Sequence, residues 1–198
     1  GWGVVAALAA ALVGIAGAWA MPRLWRLLRR LRHPVLYATL GGLALGVLGA
    51  IGGPITLFKG AEQTGELIRT AGDMSTWELV LVALVKTAAL TIAAAAGFRG
   101  GRIFPAVFIG AAVGLAVQSL GPDVPMLWAV ACGVLGTVLA VGRDGWLALF
   151  IAVAVSGEIA MLSALCLVVL PVWLLVTASP EMLVHEDDED DPHNVTAS

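Results

Sequence analysis

Residues 97–105, Gly-Phe-Arg-Gly-Gly-Arg-Ile-Phe-Pro, combine the ingredients of an anion site made from backbone. A glycine-rich turn ends one apolar stretch, and Pro105 stands where the next stretch is predicted to begin as a helix. Proline suits a first helical position because its missing N–H would have no partner there. Arg102, Ile103 and Phe104, just ahead of it, are then predicted to offer unpaired backbone N–H groups at the positive end of that helix's macrodipole. Gly100 and Gly101 let a ligand approach the backbone closely. The predicted anion-binding set is Gly101, Arg102, Ile103, Phe104 and Pro105. The same residues also describe an ordinary interhelical turn with two arginines near an interface, and the pattern alone leaves both readings open.

Few other side chains invite chemistry. Lys86 falls in the middle of an apolar run, which makes it a functional candidate, or a lysine that snorkels or pairs with a helix-end carbonyl. Glu158 reads as a carboxylate at a helix end. Cys132 and Cys166 lie in apolar helices without CxxC spacing and are predicted to be small buried hydrophobes. There is no HExxH, no Ser-His-Asp set, and His33, His185 and His193 fall at predicted interfaces or in the tail. No enzyme, no metal site and no cofactor is expected.

The elements that must position these residues are membrane helices. The chain is 60% hydrophobic and only 13% charged, with a mean hydropathy of +0.95. A soluble domain usually carries about a quarter charged residues. Residues 2–21, 35–58, 103–120, 124–142 and 159–179 contain no Asp, Glu, Lys or Arg. Residues 79–98 contain one charge, Lys86, and 146–157 form a shorter apolar run, so that a full crossing and a stop at the midplane both stay open for it. Crossing the hydrocarbon core takes about 20 apolar residues, and lipid-exposed backbone must satisfy its own hydrogen bonds. The fold class is therefore an all-α integral membrane protein, a polytopic helix bundle over 1–180 followed by an acidic tail over 181–198.

Charge patterning orients the bundle. Arg23, Arg26, Arg29, Arg30 and Arg32 follow the first run, so that end is predicted to face the cytoplasm, with Pro34 starting the return crossing. A basic stretch lying on the anionic leaflet fits the same orientation. Because the patch flanks a membrane span, no nucleic acid is expected. Gly41, Gly42, Gly46, Gly49, Gly52 and Gly53, with Gly14, Gly17, Gly110 and Gly114, predict close helix–helix packing among lipids. A short helix is predicted over Ala61–Thr70, and Ser75-x-x-Glu78 reads as a capping box opening the next helix. Residues 186–191 are six consecutive acids; without them the net charge of −3 becomes +3. They are expected to form a disordered cytoplasmic tail, with a calcium or partner role as the alternative. Residues 2–21 lack a preceding basic region and so are not read as a signal peptide. A chain that begins at Gly1 is expected to be a processed product or a fragment.

GGRIFPAVFIGAAVG, residues 100–114, resembles the second selectivity-filter motif of the CLC chloride channel and anion/proton antiporter family, written G-x-F-x-P and often preceded by Gly-Gly. Gly101 and Pro105 match; Ile103 stands at the phenylalanine position, and Phe104 follows it. The order of an arginine-rich helix end, a glycine-rich helix, a short polar helix, a lysine-bearing helix and the GGxxxP segment is similar to that family's second inverted repeat over essentially all of residues 1–180.

The resemblance implies broken or re-entrant helices and chloride or another small anion held by main-chain N–H groups of the helix starting at Pro105. It also implies a location in the cell membrane, a missing N-terminal repeat, and a homodimer. Leu147, Phe150, Ile151, Leu165 and Leu167 are the apolar candidates for the dimer face. The family's serine loop and its gating-glutamate loop belong to the first repeat, and no segment of 1–198 matches either, so channel and antiporter both stay open. Where the family often has a tyrosine, this chain has Ser179, Pro180, Glu181, Met182 and Leu183, and its one tyrosine is Tyr37. The competing expectation is a non-transporting membrane scaffold, or an orphan half-protein that needs a partner half.

Overall fold

A computed structural model describes residues 1–30, 33–52, 61–98, 100–121 and 123–180. Arg32, Gly53, Arg99 and the whole 181–198 tail, with its acidic run, Glu181, Met182, Leu183, His185 and His193, lie outside the described residues. Those that are described form eight α-helices and no strand: α1 (Trp2–Arg29), α2 (Pro34–Gly52), α3 (Ala61–Thr70), α4 (Thr76–Ala95), α5 (Ile103–Leu120), α6 (Met126–Gly142), α7 (Gly145–Ser156) and α8 (Leu162–Thr177). The all-α membrane bundle is thus the fold observed.

Lengths sort these helices. α1, α4, α5 and the stretch Ile159–Thr177 are long and apolar enough to cross a membrane, whereas α2, α6 and α7 are shorter apolar helices. At 1.5 Å per residue, the 12 residues of α7 reach about 18 Å, little more than half of a hydrocarbon core of about 30 Å. Left-handed Gly157 (φ 70°) ends α7, and a 3-10 turn over Ile159–Met161 leads into α8. Gly157 thus closes the shorter apolar run read at 146–157. At the other extreme, the 28 residues of α1 extend past its apolar part into a basic end. There the guanidinium of Arg23 lies over the Trp19 ring and that of Arg29 over Trp25.

α6 is the centre of the bundle. Every residue from Ala129 to Val141 is buried, as expected of a helix that is apolar on all sides and surrounded by others. Its closest neighbours are α5 and α1, with α7 and α8 against its remaining faces. The approach is backbone to backbone. A Cβ added at Gly110 would come within 2.6 Å of the Gly133 carbonyl oxygen, and one at Gly133 would meet the Gly110 carbonyl in turn. Gly136 is pressed against the Ala7 carbonyl, and Gly14 against Ala140. The α1 face that meets α6 includes Ala7, Ala10, Ala11 and Gly14 at helical spacing, and the buried Gly17 and Ala18 continue that stripe along α1. Thr137 Oγ1 donates across it to the Ala10 carbonyl (3.3 Å), with the Gly133 carbonyl of its own helix at the same distance.

The capping box forms as expected: Ser75 Oγ accepts from Glu78 N–H, and the Glu78 carboxylate accepts from Ser75 N–H (2.7 Å). Three expectations need correction. A methyl group added at Gly42 or Gly46 would meet nothing within 4 Å among the described residues; the face of α2 at Gly41 is the one that packs on the end of α4. Leu165 is fully buried, so it cannot belong to a dimer face; Phe150 (65% exposed) and Leu167 (72% exposed) stay outside. Cys166, one residue further along α8, turns outward and is exposed, while Cys132 is buried on α6.

Gly133→Val should force α5 and α6 apart at a point where backbone faces backbone. Overpacking of this kind costs roughly 1–3 kcal/mol. Gly42→Val should change stability by less than about 0.5 kcal/mol, as is usual away from packed contacts. Unfolding in an SDS titration measures both, and equal midpoints for the two variants would contradict the packing described.

Candidate functional site

α4 ends in a Schellman motif. Gly97 adopts a left-handed φ of 75°, Phe98 N–H donates to the Ala93 carbonyl (3.0 Å), and Gly97 N–H donates to the Ala94 carbonyl (3.2 Å). This satisfies orphan carbonyls of the helix and sends the chain back towards α5. The connection carries Gly100 and Gly101, and Arg102 is the N-cap of α5. α5 thus begins at Ile103, two residues before the expected start at Pro105. The physical reason is that N–H groups throughout a helix's first turn lack intrahelical partners, so proline fits the third position as it fits the first. The first intrahelical bond runs from Ala106 N–H to the Arg102 carbonyl (3.2 Å). Ile103 and Phe104 therefore carry first-turn amides, as expected, and Pro105 has none to offer.

The five predicted residues do not converge on one space. Gly101, Arg102 and Pro105, with Gly100, line a cleft of about 250 Å³. Its other walls are Leu45 of α2, Phe98, and the α4 residues Lys86, Ala89, Leu90, Ala93 and Ala94. Ile103 and Phe104 line a different, apolar cavity of about 580 Å³ with Thr64, Gly65 and Ile68 of α3 and Leu147, Ile151, Ala154 and Val155 of α7. The start of α5 is a partition between the two. Successive residues of a helix's first turn point in different directions, about 100° apart, so this division follows from α5 starting before Pro105.

Two features of the cleft are chemical. The first is its glycines. Neither Gly100 nor Gly101 has a positive φ, and a Cβ at either would meet nothing within 4 Å among the described residues. Backbone strain and packing against the described residues therefore do not call for glycine here; what glycine does is keep the cleft wall free of side chains. The second is charge. Lys86 and Arg102 line the cleft and no Asp or Glu does among the described residues. Lys86 is buried (4% exposed), with Nζ 5.1 Å from the centroid of the Phe108 ring on α5. Lys86 stands out in the sequence, but nothing there connects it outright with the Gly-Gly segment. The signal lies in the spacing: 86, 89, 90, 93 and 94 lie on one face of α4, and that face runs up to the Gly97 turn.

The remaining candidates lie elsewhere. Glu158 is exposed, at the start of the 3-10 turn between α7 and α8. Ser179 Oγ donates to the Leu175 carbonyl (2.9 Å), and the Ser179 carbonyl accepts from Arg143 Nη2. Arg143 closes α6 in a left-handed conformation (φ 56°), so this bond ties the ends of α6 and α8 together. Among the described residues, no group of three or more His, Cys, Asp or Glu is placed to hold a metal ion.

The cleft thus joins a helix start, two glycines and two basic residues; comparison with known proteins concerns the chain as a whole. The family model described as voltage gated chloride channel matches residues 1–176. The chain belongs to this family. It is similar to proteins named "Putative ion-transport protein YfeO" from Escherichia coli O1:K1 / APEC, from Escherichia coli strain K12 / DH10B and from Shigella boydii serotype 18. Each is 46% identical over 191 residues, covering 96% of this chain and 45% of the relative. The chain thus spans a little under half the length of the curated relatives it matches. No solved structure matches it significantly. Membership of the voltage-gated chloride channel family, together with four helices long enough to cross a bilayer, makes this a multi-pass membrane protein.

Proposed function

We propose that this chain is the second-repeat half of a CLC-type chloride channel or anion/proton antiporter of the cell membrane, and that its own contribution is an anion site at the start of α5. The observation that carries this reading is the cleft beside Gly100, Gly101, Arg102 and Pro105: a space without acidic lining among the described residues, at the positive end of a membrane helix, walled by glycines that neither strain nor packing demands. Chloride or another small anion is the ligand such a space suits, because dipoles and N–H groups at a helix start favour negative charge. A first repeat outside residues 1–198 supplies the rest of the path, consistent with relatives about twice as long. On this reading the basic end of α1 and the acidic tail face the cytoplasm.

The isolated 198-residue chain, reconstituted in liposomes, should give no measurable chloride efflux, while the full-length parent should. Robust efflux from the pure chain would mean that it builds a pore by pairing with itself, and the half-protein reading would fail.

The anion site should depend on amides more than on the Arg102 charge. Arg102→Gln leaves every N–H in place and should change halide binding modestly. Ile103→Pro deletes one amide at the first helical position and also disfavours the αR backbone of Arg102 before it, so circular dichroism of this variant is read beside its affinity. A hydrogen bond to a charged group is worth about 1.5–3 kcal/mol, so binding should weaken about ten- to a hundredfold. Ile103→Val keeps the amide and controls for lost packing against the core. Calorimetric halide titration of the full-length parent decides: abolition by Arg102→Gln with a silent Ile103→Pro would replace the helix-start site with a side-chain one.

The full-length parent should also be a homodimer, with the exposed apolar residues Phe150 and Leu167 among those available for its interface. A monomeric mass by light scattering in mild detergent would count against this.

A further inference from the structure

The buried residues of α1 end at Met21, and from Pro22 to Arg29 no side chain of the helix is fully buried. Residues 2–21 span about 30 Å at 1.5 Å each, the thickness of a hydrocarbon core. Residues 22–29 carry α1 about 12 Å further, past its packing on the bundle and to headgroup depth. This extension has two sides. Leu24 and Leu28 are half-buried, whereas Arg23, Arg26 and Arg30 are exposed and Trp19 is 50% exposed. Arg30, the C-cap, keeps helical dihedrals (φ −62°, ψ −20°). At about 100° per residue, Trp19, Arg23, Arg26 and Arg30 therefore fall on one stripe, opposite Leu24 and Leu28. Arg29 stands off it, with its guanidinium 4.8 Å from the centroid of the Trp25 ring.

Three guanidiniums three and four residues apart repel one another. Among the described residues no carboxylate pairs with any of them. Arg23 Nη1 donates to the Trp19 carbonyl (2.6 Å) and Arg26 Nε to the Pro22 carbonyl (3.3 Å), both within α1. A guanidinium has five N–H donors, so these bonds leave most of that capacity to groups outside the helix. The Trp19 ring lies 5.1 Å from the Arg23 guanidinium carbon, and stacking of this kind uses the face of the cation rather than its N–H edge. Tryptophan itself belongs at the membrane–water interface, where its amphipathic ring sits at headgroup level. A stripe of cations at that depth is complementary to phosphate, whose oxygens fit the guanidinium fork two at a time.

We propose that Trp19, Arg23, Arg26 and Arg30 form a binding surface for the phosphates of anionic phospholipids, fixing the end of α1 in the leaflet that it meets. The inference stands on α1 alone and is independent of the anion site at α5. Anionic lipids are favoured over zwitterionic ones because a zwitterionic headgroup brings its own ammonium to the arginines along with its phosphate.

The full-length parent in neutral detergent is titrated with phosphatidylglycerol or with phosphatidylcholine of the same acyl chains, and bound lipid is counted by native mass spectrometry. Phosphatidylglycerol should bind more tightly, and added salt should weaken it. Each basic residue near an anionic lipid surface contributes about fivefold, so Arg23→Gln, Arg26→Gln and Arg30→Gln combined should lose about a hundredfold in phosphatidylglycerol affinity. Phosphatidylcholine affinity should stay within about threefold. Lysine at the same three positions should keep phosphatidylglycerol affinity within about tenfold, since the charge is retained and the fork is not. If the triple variant does not fold, Arg26→Gln alone should lose about fivefold. Arg69→Gln, at an exposed arginine of α3, controls for net charge and should leave the preference intact. Equal affinity of the parental protein for the two lipids overturns the proposal, as does an unchanged preference in the triple variant or an equal loss in Arg69→Gln. A preference that emerges only after residues 186–191 are neutralised overturns it too, and assigns the stripe to that acidic run.

Discussion

Backbone contact along α6 is the constraint on which the rest of this bundle depends. Lipid tails are as apolar as the side chains they surround, so helices in a membrane are not driven together by exclusion from water. What holds them is close packing, and close packing of backbones requires that side chains be absent at the contact. Gly110 and Gly133 on α5 and α6, and Gly136 against Ala7 on α6 and α1, meet that requirement. Larger residues are admitted away from these points, as Phe108, Leu115, Leu135 and Leu139 show by their complete burial. The outcome is a three-helix centre of α1, α5 and α6 against which α3, α4, α7 and α8 pack.

That centre matters for the site because it holds α5 by its middle. Gly110 and Gly114 press α5 to α6 in its third and fourth turns, which leaves the first turn projecting between α4 on one side and α3 with α7 on the other. The start of α5 is thus a wall between a cationic cleft and an apolar cavity. Local chemistry sharpens the arrangement: the Schellman turn at Gly97 finishes α4 abruptly, and a short connection without bulky side chains at Gly100 and Gly101 brings the chain to Arg102. A helix start shaped this way leaves amides of α5 without intrahelical partners inside a membrane protein, where each such group must find something polar.

The outer surface is organised differently. Leu43, Val47 and Ile51 on α2, and Leu167, Leu170 and Leu174 on α8, are exposed in this chain and apolar. In a membrane protein such faces meet lipid or other protein rather than water, which accords with Gly42 and Gly46 having no neighbour within reach among the described residues. Membership of a family whose curated relatives are about twice as long gives these open faces a simple context, since the match covers 96% of this chain but 45% of each relative.

Much of this is decided by local sequence. Uncharged runs of about 20 residues can only be helices in a bilayer, so the fold class and most helix positions follow from composition alone. The short helix over Ala61–Thr70 and the Ser75–Glu78 capping box are equally legible, because capping joins residues three apart. Local patterns do not carry information about which face of an apolar helix meets which neighbour. With alanine, glycine, valine and leucine on every side, α2 and α8 give no periodic signal to separate Gly41 from Gly42 or Leu165 from Cys166. The start of α5 falls two residues ahead of its expected place for a related reason: proline is compatible with any position of a first turn, so its presence marks the turn and not the residue. The meeting of Lys86 with Gly101 and Arg102 is settled by tertiary structure alone. It requires α4 to reverse at Gly97 and α5 to be clamped by α6, and only those two packings bring residues 15 and 16 positions apart in sequence to one cleft.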